Sequence, residues 1–133
     1  MAEEYYSAAK PAQIEIIVRK SRFICYVHPA DATQEAHAFL ETVRKRHRDA
    51  NHNVWAWRIG QNLTEEKFSD DGEPAGTAGI PVLEVLRKKE LINCVVVVTR
   101  YFGGVLLGAG GLIRAYTESA VRGLTEAGIT RFC

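Results

Sequence analysis

Four consecutive valines, Val95 to Val98, follow Cys94 inside an apolar stretch from Leu91 to Thr99. β-Branched side chains are stiff at χ1 and suit a pleated strand. A strand with no polar alternation has no face to offer water, so this run predicts a central strand covered on both sides. It is far shorter than the ~20 residues that cross a bilayer as a helix. Further strands must flank it and other elements must cover it, within the 133 residues of one domain.

Composition narrows the class. The hydrophobic fraction is 47% and the charged fraction 25%, those of an ordinary globular protein, which excludes disordered and collagen-like chains. Seventeen Lys and Arg against 16 Asp and Glu leave a net charge of +1, which excludes coating of nucleic acid through bulk charge and leaves room for a local basic patch. The cysteines, Cys25, Cys94 and Cys133, are odd in number and form no CxxC pair, which argues against a zinc knuckle or a disulfide framework. The acidic start, Met1-Ala2-Glu3-Glu4, lacks the order of a secretion signal. The expectation is a soluble cytoplasmic protein with no membrane association.

The pattern elsewhere interleaves strands and helices. Residues 14–27 read as two strands around Arg19-Lys20-Ser21-Arg22, either a hairpin or one bent strand. A helix follows, with Asp31 as cap and Gln34 in the capping-box position, burying Ala36, Phe39, Leu40, Val43 and His47. Val54 to Ile59 alternates as a strand with Trp55 and Trp57 on one face, and Lys67-Phe68 can add a short one. Pro81 suits the first turn of a second helix, where its missing N–H costs nothing. The last helix runs through Leu112, Tyr116, Ala120 and Leu124 and stops at Gly128. The order ββαβ(β)αβα predicts an α/β two-layer sandwich, a mixed sheet with helices on one face.

Two stretches are rich in glycine and ionisable groups. In Asp70-Asp71-Gly72-Glu73 three carboxylates can hold a hard cation such as Mg2+, or simply build a tight turn. From Arg100 to Arg114, the glycines Gly103, Gly104, Gly108, Gly110 and Gly111 join the central strand to the last helix. Glycine lets a backbone approach a phosphate or RNA closely, helix-start N–H groups attract anions, and Arg100, Tyr101 and Arg114 add side-chain contacts. Close helix–sheet packing explains the same glycines. Neither a Walker loop nor a dinucleotide fingerprint is present. His52 is a candidate binding residue, while Arg44, Lys45, Arg46 and Arg48 form either a solvated helix end matched to the dipole or an RNA-contacting patch. No complete catalytic set assembles, and no catalytic residue is assigned.

These segments fall in a recognisable order: Ser21-Arg22-Phe23-Ile24, His52-Asn53, Asp70 through Gly79, Val97 through Gly104, and Leu107 through Tyr116. Together they resemble the N-terminal domain of the IMPACT/YigZ family, also called the UPF0029 domain, over roughly residues 14–127. The resemblance implies a fold similar to domain 2 of ribosomal protein S5. It also implies translation regulation, since eukaryotic relatives bind a ribosome-associated activator of the amino-acid-starvation kinase, and nucleic-acid or ribosome binding is the usual suggestion for bacterial ones. Val54 stands where many members carry cysteine. The 133 residues read as one domain, 1–133, without the second, ferredoxin-like domain of bacterial members or the RWD-type domain of eukaryotic ones, either a single-domain member or a part of a longer protein.

The leading expectation is a non-enzymatic, translation-linked binding domain that contacts RNA, the ribosome or a ribosome-associated protein. The alternative is an enzyme or small-molecule binder that uses the Gly-rich stretch for phosphate and the acidic turn for a metal. Either way, Asp70, Asp71 and Glu73 are expected beside Gly103–Gly111, with Arg100 or Arg114 between them.

Overall fold

The valine strand lies at the centre of the molecule. The computed structural model describes residues 4–62 and 65–133. In chain order the elements are β1 (Tyr5–Ala8), β2 (Ala12–Val18), β3 (Ser21–Pro29), α1 (Thr33–Arg46), β4 (His52–Ile59), β5 (Glu65–Ser69), α2 (Gly79–Lys88), β6 (Cys94–Tyr101), α3 (Gly108–Ala127) and β7 (Ile129–Phe132). A five-stranded sheet has the order β2-β3-β6-β4-β5, and β1 pairs with β7 in a separate ribbon. Cys94 to Val98 are all fully buried.

The α/β class and the sandwich of sheet and helices are those expected. Two details differ. The sheet is antiparallel at every pairing, not mixed. Helix α1 carries the chain from β3 to β4, so these two strands run in the same direction, but β6 inserts antiparallel between them. The helices also occupy both faces, not one. Phe23, Cys25, Val27, Val54, Ala56, Val96 and Val98 face α2 and α3. Ile24, Tyr26, Trp57, Val95 and Val97 point the other way, against Ala36, Leu40 and Val43 of α1. Alternate burial on both faces is what the uninterrupted valines demanded.

Local chemistry explains most element ends. Arg19 and Lys20 link β2 to β3 with φ of 45° and 69°, the two positive values of a tight hairpin turn. The bent-strand alternative is therefore not the one adopted. Helix α1 begins one residue later than an Asp31 cap requires: Ala32 is the N-cap and makes no side-chain bond. Pro81 sits in the first turn of α2 as expected, and α3 stops at Gly128 with φ 74°. The central strand starts at Cys94, not Leu91, after Asn93 with φ 58°. No helix among the described residues is long and apolar enough to cross a membrane.

Candidate functional site

The acidic turn spends its carboxylates on protein donors. Asp70 accepts the backbone N–H groups of Gly76, Ala78 and Gly79 at 3.1, 3.2 and 2.8 Å. Its neighbour Asp71 accepts the N–H of Asn53 at 2.7 Å. Asp71 and Gly72, at φ 42° and 88°, then turn the chain so that Glu73 points inward. There Glu73 meets Nη1 of Arg100 at 2.9 and 3.1 Å and the hydroxyl of Tyr116 at 2.5 Å. Burial first, and then the Glu73 charge, push the Tyr116 hydroxyl well above its ordinary range, so it remains a donor. Asp70, Asp71 and Glu73 do not gather around one point. Among the described residues no group of three or more His, Cys, Asp and Glu side chains has an arrangement that could hold a metal ion.

Arg100, at the exit of β6, is 5% exposed. Its Nε and Nη2 reach the Ser21 hydroxyl at 3.4 and 3.2 Å, and the same oxygen accepts the N–H of Gly103 at 3.2 Å. A methyl group on Gly103 would overlap the Lys20 carbonyl, so glycine is needed there for close approach to the hairpin turn. Gly108, Gly110 and Gly111 form the first turn of α3. Its N-cap is Leu107, with no side-chain cap and no acidic residue in that turn.

The convergence expected of the two stretches occurs for part of each. A cavity of about 430 Å³ opens at this end of the sheet, with Asn51, His52, Glu73 and Arg100 as its polar lining. Pro74, Phe102, Leu106, Leu107, Gly108 and Leu112 supply the remainder of its wall together with Ala109. Asp70 and Asp71 stand behind it as backbone organisers. Arg114 is not between the loops: it folds back toward Gly110 and lines a separate pocket with Arg19 and Glu118. Gly104 adopts φ 91° with open space around it, a turn residue.

Tyr101 belongs to the opposite face. Its hydroxyl donates to Asp49 at 3.0 Å and lies 2.6 Å from Nδ1 of His47, while Nε2 of His47 lies 2.6 Å from the hydroxyl of Tyr26. Because the Tyr101 proton goes to the carboxylate, Nδ1 must donate and Nε2 must accept from Tyr26. Burial, then the Arg46 charge, lower the His47 pKa, consistent with this neutral ring. Arg46 lies over the Tyr26 ring at 5.7 Å and Arg22 over the Tyr101 ring at 5.2 Å. Arg44 pairs with Glu41 at 2.6 Å, while Lys45 and Arg48 are exposed. The predicted basic helix end thus joins Arg22 of the hairpin in one basic shoulder. It forms beside the cavity at the same end of β6, because Arg100 and Tyr101 are adjacent residues facing opposite ways.

Ser21, Asn51, Tyr116 and Asp49 also build this end of the molecule and were not predicted as site residues. Ser21 and Tyr116 lie inside the sequence signatures, and that position was the only signal they carried. Asn51 orders the Gly-rich loop by accepting the N–H of Phe102 at 2.8 Å.

The sequence matches the model of the Impact N-terminal domain family over residues 19–124. It is 48% identical over 129 residues to the IMPACT family member YvyE of Bacillus subtilis, covering 97% of this chain and 59% of that one. A crystal structure of a hypothetical protein superposes with a TM-score of 0.93 at 40% identity, over 99% of this chain and 65% of that one. The two-domain translational regulator Yih1 superposes with a TM-score of 0.55 at 27% identity, over 96% of this chain and 49% of that one. The chain therefore spans about three fifths of the length of YvyE. It belongs to the Impact N-terminal domain family.

Proposed function

We propose that this chain is a translation-linked regulatory domain that contacts ribosomal RNA through the basic shoulder at the end of β6. Family membership supports the translational part, because Yih1, a relative of similar fold, is a translational regulator. The RNA part rests on one observation: Arg22 and Arg46 lie over the rings of Tyr101 and Tyr26, beside exposed Lys45 and Arg48. Arg22 already pairs with Glu15 at 2.8 Å, so the donors on offer are those of Arg46, fixed over the Tyr26 ring at reduced entropic cost, with Lys45 and Arg48, and phosphate is their natural acceptor. A net charge of only +1 makes such a contact local and strongly dependent on salt.

Co-sedimentation with ribosomes across a salt series tests this reading. Binding should weaken linearly on a log–log plot, and a triple Lys45→Glu, Arg46→Glu, Arg48→Glu variant should lose most of it. Absence of association at low salt by folded protein, or equal binding by the triple variant, would overturn the RNA contact. Salt-insensitive association would instead assign the contact to a ribosome-associated protein.

A further inference from the structure

A groove of about 680 Å³ opens to solvent between α2 and α3, and it shares no lining residue with the cavity at Arg100. One wall is Ile113, Thr117 and Val121, spaced by one helical turn along α3. The other carries Ile80, Glu84 and Lys88 at the same spacing along α2, with Lys89 beside them. Leu112, Tyr116 and Ala120, one residue earlier in each turn of α3, take the place against the sheet, which leaves the next row outside the core. Ile80, Ile113 and Val121 are 39, 41 and 36% exposed. β-Branched side chains are poor choices for a solvated helix position, where Ala, Glu, Lys or Gln favours the helix. They are stiff at χ1, so the wall they make is ordered before anything binds.

The chemistry of the occupant follows from what the groove lacks. Both walls are helices, whose main-chain N–H and C=O groups are largely used within themselves, so an extended peptide would find no ladder to join. A chain entering here must arrive with its own backbone bonds made, and a helix does. From Ile80 to Lys88, and again from Ile113 to Val121, the walls run for about 12 Å at 1.5 Å per residue, a little over two turns. Charge then sets the sign. Lys88 and Lys89 form no ion pair among the described residues. Glu84, the one carboxylate among the described lining residues, is already held by Arg87 at 2.5 Å. A second copy of this chain would bring the same concave wall and the same unpaired lysines, so self-association leaves both uncompensated. An acidic partner matches them.

We propose that this groove docks a short amphipathic helix of a protein partner, its apolar face on Ile80, Ile113 and Val121 and its acidic side chains at Lys88 and Lys89. This surface is separate from the basic shoulder and does not depend on ribosome contact. The probes are alanine-rich peptides of about 16 residues, long enough to hold a helix, with leucines at i, i+3, i+4 and i+7. One carries glutamates on its flanks, a second carries lysines there, and a third keeps the glutamates but has its leucines scrambled. Titrations are followed by 1H–15N correlation spectra at low salt. The glutamate peptide should give saturable shifts at the amides of Lys88, Lys89, Ile113 and Val121. It should bind at least about threefold tighter than the lysine peptide, as two exposed ion pairs allow. The Lys88→Glu, Lys89→Glu variant should reverse that preference, and the scrambled peptide should not saturate. Equal binding of glutamate and lysine peptides, equal binding of the scrambled one, or no saturable shift would each overturn the proposal. Shifts confined to Lys45, Arg46 and Arg48 would move the peptide to the basic shoulder, and concentration-dependent shifts at the groove without peptide would give it to a second copy; either result also overturns it. The comparison of peptides on the unaltered protein decides the matter even if the variant does not fold.

Discussion

At the scale of single residues, this domain places charge inside and then neutralises it. Glu73 and Arg100 are 7% and 5% exposed and hold each other at 2.9 Å. Removing one partner of such a pair strands a buried charge at a cost of about 3–5 kcal/mol, although the pair itself contributes little net stability. An arginine beside the acidic turn was legible because ionisable groups and glycines concentrate in two connections of the chain, and loops positioned by a rigid layer tend to carry sites. That Glu73 would be its partner was not legible: the sequence does not say which of three neighbouring acids a turn points inward. His47 supplies the pH-dependent test at this scale. Its pKa is lowered from the ordinary 6.5 by burial and by Arg46, so the unfolded chain takes up a proton before the folded one does. Its contribution is present above the unfolded value and is lost as pH falls through the folded one. Urea unfolding between pH 7.5 and 5 should show stability declining on acidification, with a shallower decline in His47→Gln. An unchanged slope in that variant would show that the Tyr26–His47–Tyr101 chain has no part in it.

Between elements, α3 approaches β3 closely at Gly123. A methyl group at Gly123 would lie 2.5 Å from Sγ of Cys25 and 3.1 Å from Cγ2 of Val27, in a core where Cys25 is fully buried. Alanine favours a helix over glycine by about 1 kcal/mol, whereas overpacking a tight core costs about 1–3 kcal/mol. The clash should win, because the sulfur has no open space to enter. Gly123→Ala should therefore destabilise by about 1 kcal/mol, and Cys25→Ala in the same chain should remove that penalty. A double-mutant cycle with no coupling would sink this account of the glycine. Such contacts explain what was legible among the elements and what was not. The three helices carry a local period and the central strand an unbroken β-branched run, and these were read, whereas the hairpin was read with a bent strand as its alternative. The side of the sheet taken by α1 is not a local property: a stripe of Ala36, Leu40 and Val43 says that a face is buried, not which layer buries it. The valine run already required two covered faces, so the one-sided sandwich conflicted with the strongest signal in the chain.

For the whole molecule, the strands missed in the sequence are those that join its two ends. β1 and β7 have four residues each, too few for periodicity to show, and pair across nearly the full chain from Tyr5–Phe132 to Ala8–Ile129. Their contributions are unequal. β7 has no fully buried residue; its main attachments are the ladder and the stack of Phe132 on Tyr5 at 5.3 Å. β1 is tied to the body of the domain as well. Ser7 donates to the Asn93 carbonyl at 3.0 Å, the Tyr6 carbonyl accepts the N–H of Ile92 at 2.9 Å, and Ala8 is fully buried in the α2/α3-side core. Ending the chain after Gly128 removes exposed pairing, while starting it at Lys10 also leaves the Ile92 N–H without its partner and opens a gap beside the core. Each kcal/mol is worth roughly 3–5 °C for a domain of this size, and orphaning a buried backbone group costs about 1–3 kcal/mol on top of the lost ladder. Thermal unfolding should place the chain ended at Gly128 within about 5 °C of the full one, and the chain begun at Lys10 about 10 °C below it. The opposite order would mean that β1 is held by β7 and not by the loop before β6.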